Sequence, residues 1–387
     1  MLSVSTALAR LQDGLGESFP DLPGTRIIDV AFPLNDAFDP LLWCGQQAQW
    51  PQFYWQQRNG DEELATLGAV KTFTSLDAAN RFLRQVGRQD LRICGLNAFE
   101  PQQGSLALPR LEWRRCGGRA VLRLVLHSDI SLREDAATAR AFLASLTTTQ
   151  ATPGAIPPLL SERHSSDYPQ WQAMIARATK AISAGEMDKV VLARATDLQF
   201  AAPLDAVSIM AASRRSNLNC FHFLMAFNAR QAFFGSTPER LWRRRGALLR
   251  TEALAGTVAN HQEDAKAQQL ADWLMKDDKN QRENMLVVED ICQRLQSEAS
   301  TLDVLPRRAA LAFIQRHEPF SREWYAGSAG YLSLAQSEFC VALRSAKVNH
   351  DTLRLYAGAG IVSGSDAQQE WQEIDNKAAG LRSLLCP

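Results

Sequence analysis

Lys189 sits where a lysine is uncomfortable, at the head of Val190-Val191-Leu192-Ala193-Arg194-Ala195-Thr196, a run that reads as a strand buried on both faces. Burial disfavours a charged ammonium, and a lysine so treated can serve as a general base near neutral pH. A strand-end lysine can equally snorkel its charge to water. Glu239 follows Phe233-Phe234-Gly235-Ser236-Thr237-Pro238 and precedes Arg240-Leu241-Trp242, at a strand end where proline fixes the turn; it is either exposed or an acid aimed at a site. Glu370, Glu373 and Lys377 recur at i, i+3 and i+7, so one helix face carries all three. The adjacent stripe of Trp371, Ile374, Ala378, Leu381 and Leu385 is apolar, which puts those charges at the core edge, where a cleft wall sits. The plain alternative is a solvated flank tied by Glu373 and Lys377. Glu283 closes the polar run 276–283 before Met285-Leu286-Val287-Val288 and is either the last solvated carboxylate or an acid beside Lys279. The glycines of Ala357-Gly358-Ala359-Gly360 let backbone N–H groups approach an anion.

Those residues need elements to hold them. Before a Thr-, Pro- and Ser-rich connection at 147–169, strands are expected at Gln52–Gln57, Leu91–Leu96 and Ala120–His127, with helices at Ser75–Gly87 and Arg133–Ser145. After it come a helix at Gln170–Ala184, the Lys189 strand over Met187–Phe200, and a hairpin of Cys220–Phe227 and Ala232–Gly235 turning at Asn228-Ala229-Arg230. Then follow Leu248–Ala253, one long helix near Glu263–Ser297 packing through Leu270, Leu274, Met285, Val288, Ile291 and Leu295, and a three-strand meander of Tyr331–Leu334, Glu338–Val348 and Thr352–Gly358. A last helix runs from Asp366, whose capping box with Gln369 opens it, to Leu385. Grouped rather than alternating elements point to an α+β protein, a layered sandwich of large, mostly antiparallel sheets with helices outside. The expected division is an N-terminal β-rich region over 1–150, integrated with the core, and a catalytic region over 165–387.

Composition excludes several classes. With 387 residues, net charge +0 and 46% hydrophobic residues, the chain has ample core material and no electrostatic footprint for nucleic acid or an anionic membrane. The one basic cluster, Arg243-Arg244-Arg245 before Gly246, suits a hairpin tip. Seven scattered cysteines, never paired as CxxC, favour a reducing compartment and argue against a thiolate zinc site. Arg10, Asp13 and Glu17 interrupt the N-terminal stretch, so no signal peptide is expected there, and the expected location is cytoplasmic.

Seven ordered stretches together resemble one family: Asp188-Lys-Val-Val-Leu-Ala-Arg194, Gly235-Ser-Thr-Pro-Glu-Arg240, Leu254-Ala-Gly-Thr257, Lys279-Asn-Gln-Arg-Glu-Asn-Met-Leu-Val-Val288, Leu343-Arg-Ser-Ala-Lys347, and Leu355-Tyr-Ala-Gly-Ala-Gly-Ile-Val362 with Glu370-Trp-Gln-Glu-Ile-Asp-Asn-Lys377. They look like the chorismate-utilising enzymes related to anthranilate synthase component I, densely from Asp167 to Leu385. Within the family the chain is most similar to the isochorismate-forming members of menaquinone biosynthesis. The resemblance implies Mg²⁺-dependent interconversion of chorismate and isochorismate, in which water attacks C2 while the C4 hydroxyl leaves. By the family pattern Lys189 is the base and Glu239 the acid. Glu283 and Glu373, with Glu370 nearby, would hold Mg²⁺, an oxygen-seeking ion. Arg344, Gly358 and Lys377 would bind substrate carboxylates, with Gly256, Thr257 and Tyr331 as further contacts. The implied partner is chorismate alone, with no nucleic acid or membrane, in a monomer or weak homodimer.

Two positions discriminate within the family. Enzymes that aminate chorismate resemble this chain but carry a nucleophilic lysine at the position of Ala255, and anthranilate synthases carry glutamine at that of Lys189. Salicylate synthases share both choices and then eliminate pyruvate, so they are the alternative. The resemblance also implies about 40 more residues where Leu302-Asp-Val-Leu-Pro306 here runs directly into Arg307, against ordinarily short connections. A stretch left out of the chain would explain this, as would a deletion. If the segment is truly absent, a chorismate-binding but inactive protein is the further reading.

Overall fold

The computed structural model describes residues 3–16, 18–34, 37–100, 102–254, 263–297 and 307–385. In chain order its elements are α1 (Val4–Gly14), β1 (Gly24–Pro33), α2 (Pro40–Gly45), β2 (Gln52–Gln56), β3 (Glu63–Phe73), α3 (Leu76–Val86), β4 (Ile93–Asn97), β5 (Gly104–Cys116), β6 (Arg119–Ser128), α4 (Leu132–Ala144), β7 (Leu159–His164), α5 (Tyr168–Ser183) and β8 (Val190–Phe200). They continue with α6 (Ala206–Ser216), β9 (Phe221–Asn228), β10 (Gln231–Thr237), β11 (Arg240–Arg245), β12 (Leu248–Arg250), α7 (Asp264–Lys276), α8 (Asp278–Ser297), α9 (Arg307–His317), β13 (Ser328–Leu332), β14 (Gln336–Val341), β15 (Ser345–Asn349), β16 (Thr352–Ile361) and α10 (Ala367–Leu385).

Two compact units interleave along the chain. One takes residues 1–159, 200–251 and 322–353, and the other residues 160–199, 252–321 and 354–387. In the first unit the strands follow the order β12-β11-β14-β13-β4-β5-β3-β2-β9-β10-β15, with β6 on β5 and β1 on β6. The ladders β3/β5, β2/β9, β9/β10, β11/β14 and β10/β15 are all antiparallel, in keeping with the expected α+β class. Part of its core is a cluster of Phe73, Phe82, Leu83, Ile93, Leu106, Leu108, Val125 and Phe339. In the second unit β16, β8 and β7 are neighbours in that order, and α5 packs on α10.

Local chemistry explains most boundaries. Ser75 accepts from Ala78 N to start α3, and Gly87 ends it in the left-handed conformation at φ 72°. Asn228 Oδ1 accepts from the N–H groups of Arg230 and Gln231, closing the expected β9–β10 turn. The Arg243–Arg245 cluster does lead into a hairpin tip, with Gly246 at φ 57° between β11 and β12.

Four expectations are corrected. The long middle helix is two helices: Asp277 is extended, at φ −73° and ψ 116°, because its carboxylate accepts from Asn280 N and Nδ2 and caps α8 instead of continuing α7. The apolar stripe expected to pack that region is only partly buried, with Met285 52% and Leu295 42% exposed, whereas Asn280 and Glu283 are buried. The meander is not one: Glu338–Val348 breaks after Val341, β14 pairs with β13 and β11, and β15 pairs with β10. The break falls at Arg344, which adopts φ 47°, a conformation no strand residue can hold. The soft connection over 147–169 contains β7.

Candidate active site

Lys189 immediately precedes β8, whose residues are buried apart from Val191 and the half-buried Asp197 and Gln199. Its ammonium neither reaches free to water nor stays unpaired; it lies 3.0 Å from Glu283 Oε1. Glu283 is on α8, one turn after Lys279. Its carboxylate lies so close to β16 that a Cβ on Gly360 would stand 1.9 Å from Oε1 and 3.2 Å from Lys189 Cε. Only glycine permits that approach, which gives the Gly-rich strand end a function other than flexibility.

Helix α10 supplies the opposite charges. Asp366 Oδ1 accepts from Gln368 N and Gln369 N and fixes where the helix starts. Glu370 then falls on the buried row with Ile374, Leu381 and Leu385, and is completely buried. Lys279 Nζ reaches Glu370 Oε1 at 2.6 Å and Glu373 Oε2 at 3.8 Å. Lys377 Nζ lies 2.6 Å from Glu373 Oε1 and donates to the Gly358 carbonyl at 2.9 Å. Burial opposes charge on Lys279, but the hydrogen bond and charge of Glu370 hold its proton above the ordinary lysine range. Burial pushes the Glu370 carboxyl up, and the Lys279 ammonium offsets that only in part. The sequence placed Glu370 at the edge of the site, whereas the structure makes it the deepest charge. Lys279, part of the motif but not among the expected site residues, links α8 to α10.

Oxygen donors for a cation are present. Glu283 Oε2 and Glu370 Oε2 are buried without a hydrogen-bond partner among the described residues. Among those residues no three His, Cys, Asp or Glu side chains converge into a ready-made cage. Two carboxylates completed by water and a ligand oxygen are nevertheless what Mg²⁺ takes.

In the first unit Glu239 is half-buried on the turn between β10 and β11. Its N–H donates to Thr237 Oγ1 at 3.3 Å and its carbonyl accepts from Val341 N at 3.0 Å. Arg344 is half-buried with no carboxylate partner among the described residues, and its carbonyl accepts from Ser236 N at 3.2 Å. A non-glycine residue held at positive φ is strained, and such strain gathers at ligand sites. Tyr331 is differently placed: it is fully buried, its hydroxyl donates to Glu62 at 2.9 Å, and the Arg92 guanidinium lies 4.3 Å from its ring centre. That hydroxyl is committed inside the sheet layer. Ala255, Gly256, Thr257 and the Pro306 junction lie outside the described residues.

The site thus joins lysines, three buried or half-buried glutamates and a glycine-lined strand end on an antiparallel α+β scaffold. The chain belongs to the chorismate-binding enzyme family, whose profile matches residues 96–305 and 304–386. It is 58% identical to isochorismate synthase MenF of Escherichia coli K12 over 428 residues, covering 100% of this chain and 99% of that protein. It is 34% identical to the Haemophilus influenzae MenF over 90% of each chain. The solved structure of E. coli MenF superposes with a TM-score of 0.93 over 99% of both chains. Anthranilate synthase component I of Streptococcus pneumoniae shares the fold, with a TM-score of 0.55 at 16% identity. The family profile matches in two pieces that meet at 304–305, and the E. coli alignment spans 428 positions against 387 residues here, a difference of 41. The extra family segment is therefore absent from this sequence.

Proposed function

We propose that the protein is an isochorismate synthase that interconverts chorismate and isochorismate for menaquinone biosynthesis. The observation that carries this reading is 58% identity over the whole length to an enzyme of that name. Lysine at 189 and alanine at 255 favour water as the nucleophile.

In this reading Lys189 takes a proton from the attacking water, and Glu239 gives one to the departing C4 hydroxyl. Lys189 must first separate from Glu283, with which it pairs. Arg344 binds a substrate carboxylate through its guanidinium fork, and Lys377 and the Gly358 backbone hold the other. Gly256 and Thr257 line the pocket. Mg²⁺ held by Glu283 and Glu373, with Glu370 beside them, would neutralise a substrate carboxylate. The orphaned carboxylate oxygens support that assignment. The scattered cysteines, five of them free among the described residues, support a cytoplasmic location.

The test is purified protein with chorismate and Mg²⁺, with products resolved by chromatography. Isochorismate alone bears the reading out, whereas salicylate plus pyruvate makes the protein a salicylate synthase. A second reading is favoured by the 41 absent positions: a chorismate-binding protein without turnover. Saturable chorismate binding with no product would establish it.

A further inference from the structure

The turn that carries Glu239 is fixed by side chains with no place in the reaction. Arg58 Nη1 donates to the Pro238 carbonyl at 2.9 Å, on the residue just before Glu239. On the other side Arg240 is 2% exposed and donates through Nε to Glu338 Oε1 at 2.9 Å. Glu338, wholly buried on β14, takes a second bond from Gln57 Nε2 at 3.0 Å. Both guanidiniums also lie against one ring, Arg240 at 5.5 Å and Arg58 at 5.7 Å from the centre of Phe221. Gln57 and Arg58 are adjacent, so one segment after β2 holds the turn on both sides of Glu239. A buried charge pair of this kind is expensive to assemble, and replacing it by apolar side chains is often neutral or stabilising. Its placement on either side of one half-buried carboxylate, rather than elsewhere in the sheet, points to orientation of that carboxylate.

We infer that Arg58, Gln57, Arg240 and Glu338 form a clamp that positions Glu239 for proton transfer. The inference rests on the proposed role of Glu239. Holding the carboxyl in one orientation converts a wandering acid into one aligned with its leaving group. The clamp residues act through the backbone and do not touch substrate, so they are positioning residues.

Four variants test it: Arg58→Met, Arg58→Lys, Glu338→Gln and Glu239→Gln. Arg58→Met and Glu338→Gln should lower kcat about 10- to 100-fold, with the chorismate KM within about twofold. Arg58→Lys should recover part of the loss, and neither clamp variant should slow Glu239→Gln further. Unchanged kcat in Arg58→Met, or the same loss in the Glu239→Gln background, overturns the clamp. Normal kcat in Glu239→Gln alone overturns the acid assignment instead. Should Glu338→Gln not fold, Arg58→Met on the half-buried side decides alone. A readout independent of turnover is carboxyl ¹³C NMR of glutamate-labelled protein, the Glu239 line being assigned by its loss in Glu239→Gln. That line should shift or broaden in Arg58→Met, and an unmoved line overturns the clamp.

Discussion

The two units handle buried charge in different ways. In the first, the buried pairs are made by arginine: Arg123 forks onto Asp29 at 2.8 and 2.6 Å, Arg110 onto Asp135 at 2.7 and 2.5 Å, and Arg240 binds Glu338. The second also has an arginine pair, Arg194 with Asp375, but its cluster at the head of β8 and on α8 and α10 is made by lysine: Lys189 with Glu283, Lys279 with Glu370, Lys377 with Glu373. A guanidinium fork fixes its partner in two directions, whereas an ammonium is a point charge that exchanges partners. Arginine pairs therefore serve as scaffolding. Lysine pairs leave carboxylates able to trade an ammonium for a cation or for a substrate, which is what a site must do.

The strongest challenge to this contrast is Lys189→Ala. Loss of the proposed general base should cost about 10²- to 10⁴-fold in kcat. The circular-dichroism spectrum should be unchanged, and near-normal turnover would remove the lysine from its role. Breaking the arginine side should instead appear as instability: Arg240→Met leaves the Glu338 carboxylate buried without its ion-pair partner, held only by Gln57 Nε2, at a cost of about 3–5 kcal/mol in urea unfolding. An unchanged midpoint would mean the pair is not scaffolding.

A third test uses His222, 5% exposed in the first unit, whose Nδ1 lies 2.8 Å from Ser236 Oγ. Burial, with the nearby Arg214 charge, lowers its pKa from 6.5 to about 4. The unfolded chain takes the proton near pH 6.5 and the folded one only near 4, so stability is fully present above 6.5 and is lost as pH falls through that window. The loss should approach about 3 kcal/mol by pH 4, and His222→Asn should remove that part of the pH slope. The smallest effect is expected from Glu283→Gln, which should raise the Mg²⁺ concentration for half-maximal activity by about tenfold, a change of about 1.4 kcal/mol. Unchanged metal dependence would reassign that carboxylate.

Local rules carried the sequence reading where one residue decides the matter. The Ser75 cap and Gly87 stop bounded α3, and the Asn228 turn placed β9 against β10. They failed where two local signals competed. Asp277 reads as one more polar residue in a long helical pattern, yet its side chain captures Asn280 and ends α7. The apolar run Val341-Ala342-Leu343 reads as strand, yet the chain turns there at Arg344. The helices and strands before residue 75 were mostly illegible: β3 runs Glu63–Phe73 with its first six residues buried and no alternating pattern to read.

The family was legible in the sequence alone, because ordered motifs from Lys189 to Lys377 can be read without geometry. The sequence also revealed, by its shortness, that a family segment is missing. How the charges on those motifs are neutralised emerges only once the chain is folded. Glu370 lies on the packed row of α10, and the bare backbone of Gly360 lets Glu283 reach Lys189. Neither fact has a local signature, since burial and pairing across α8, β16 and α10 arise only when distant segments pack.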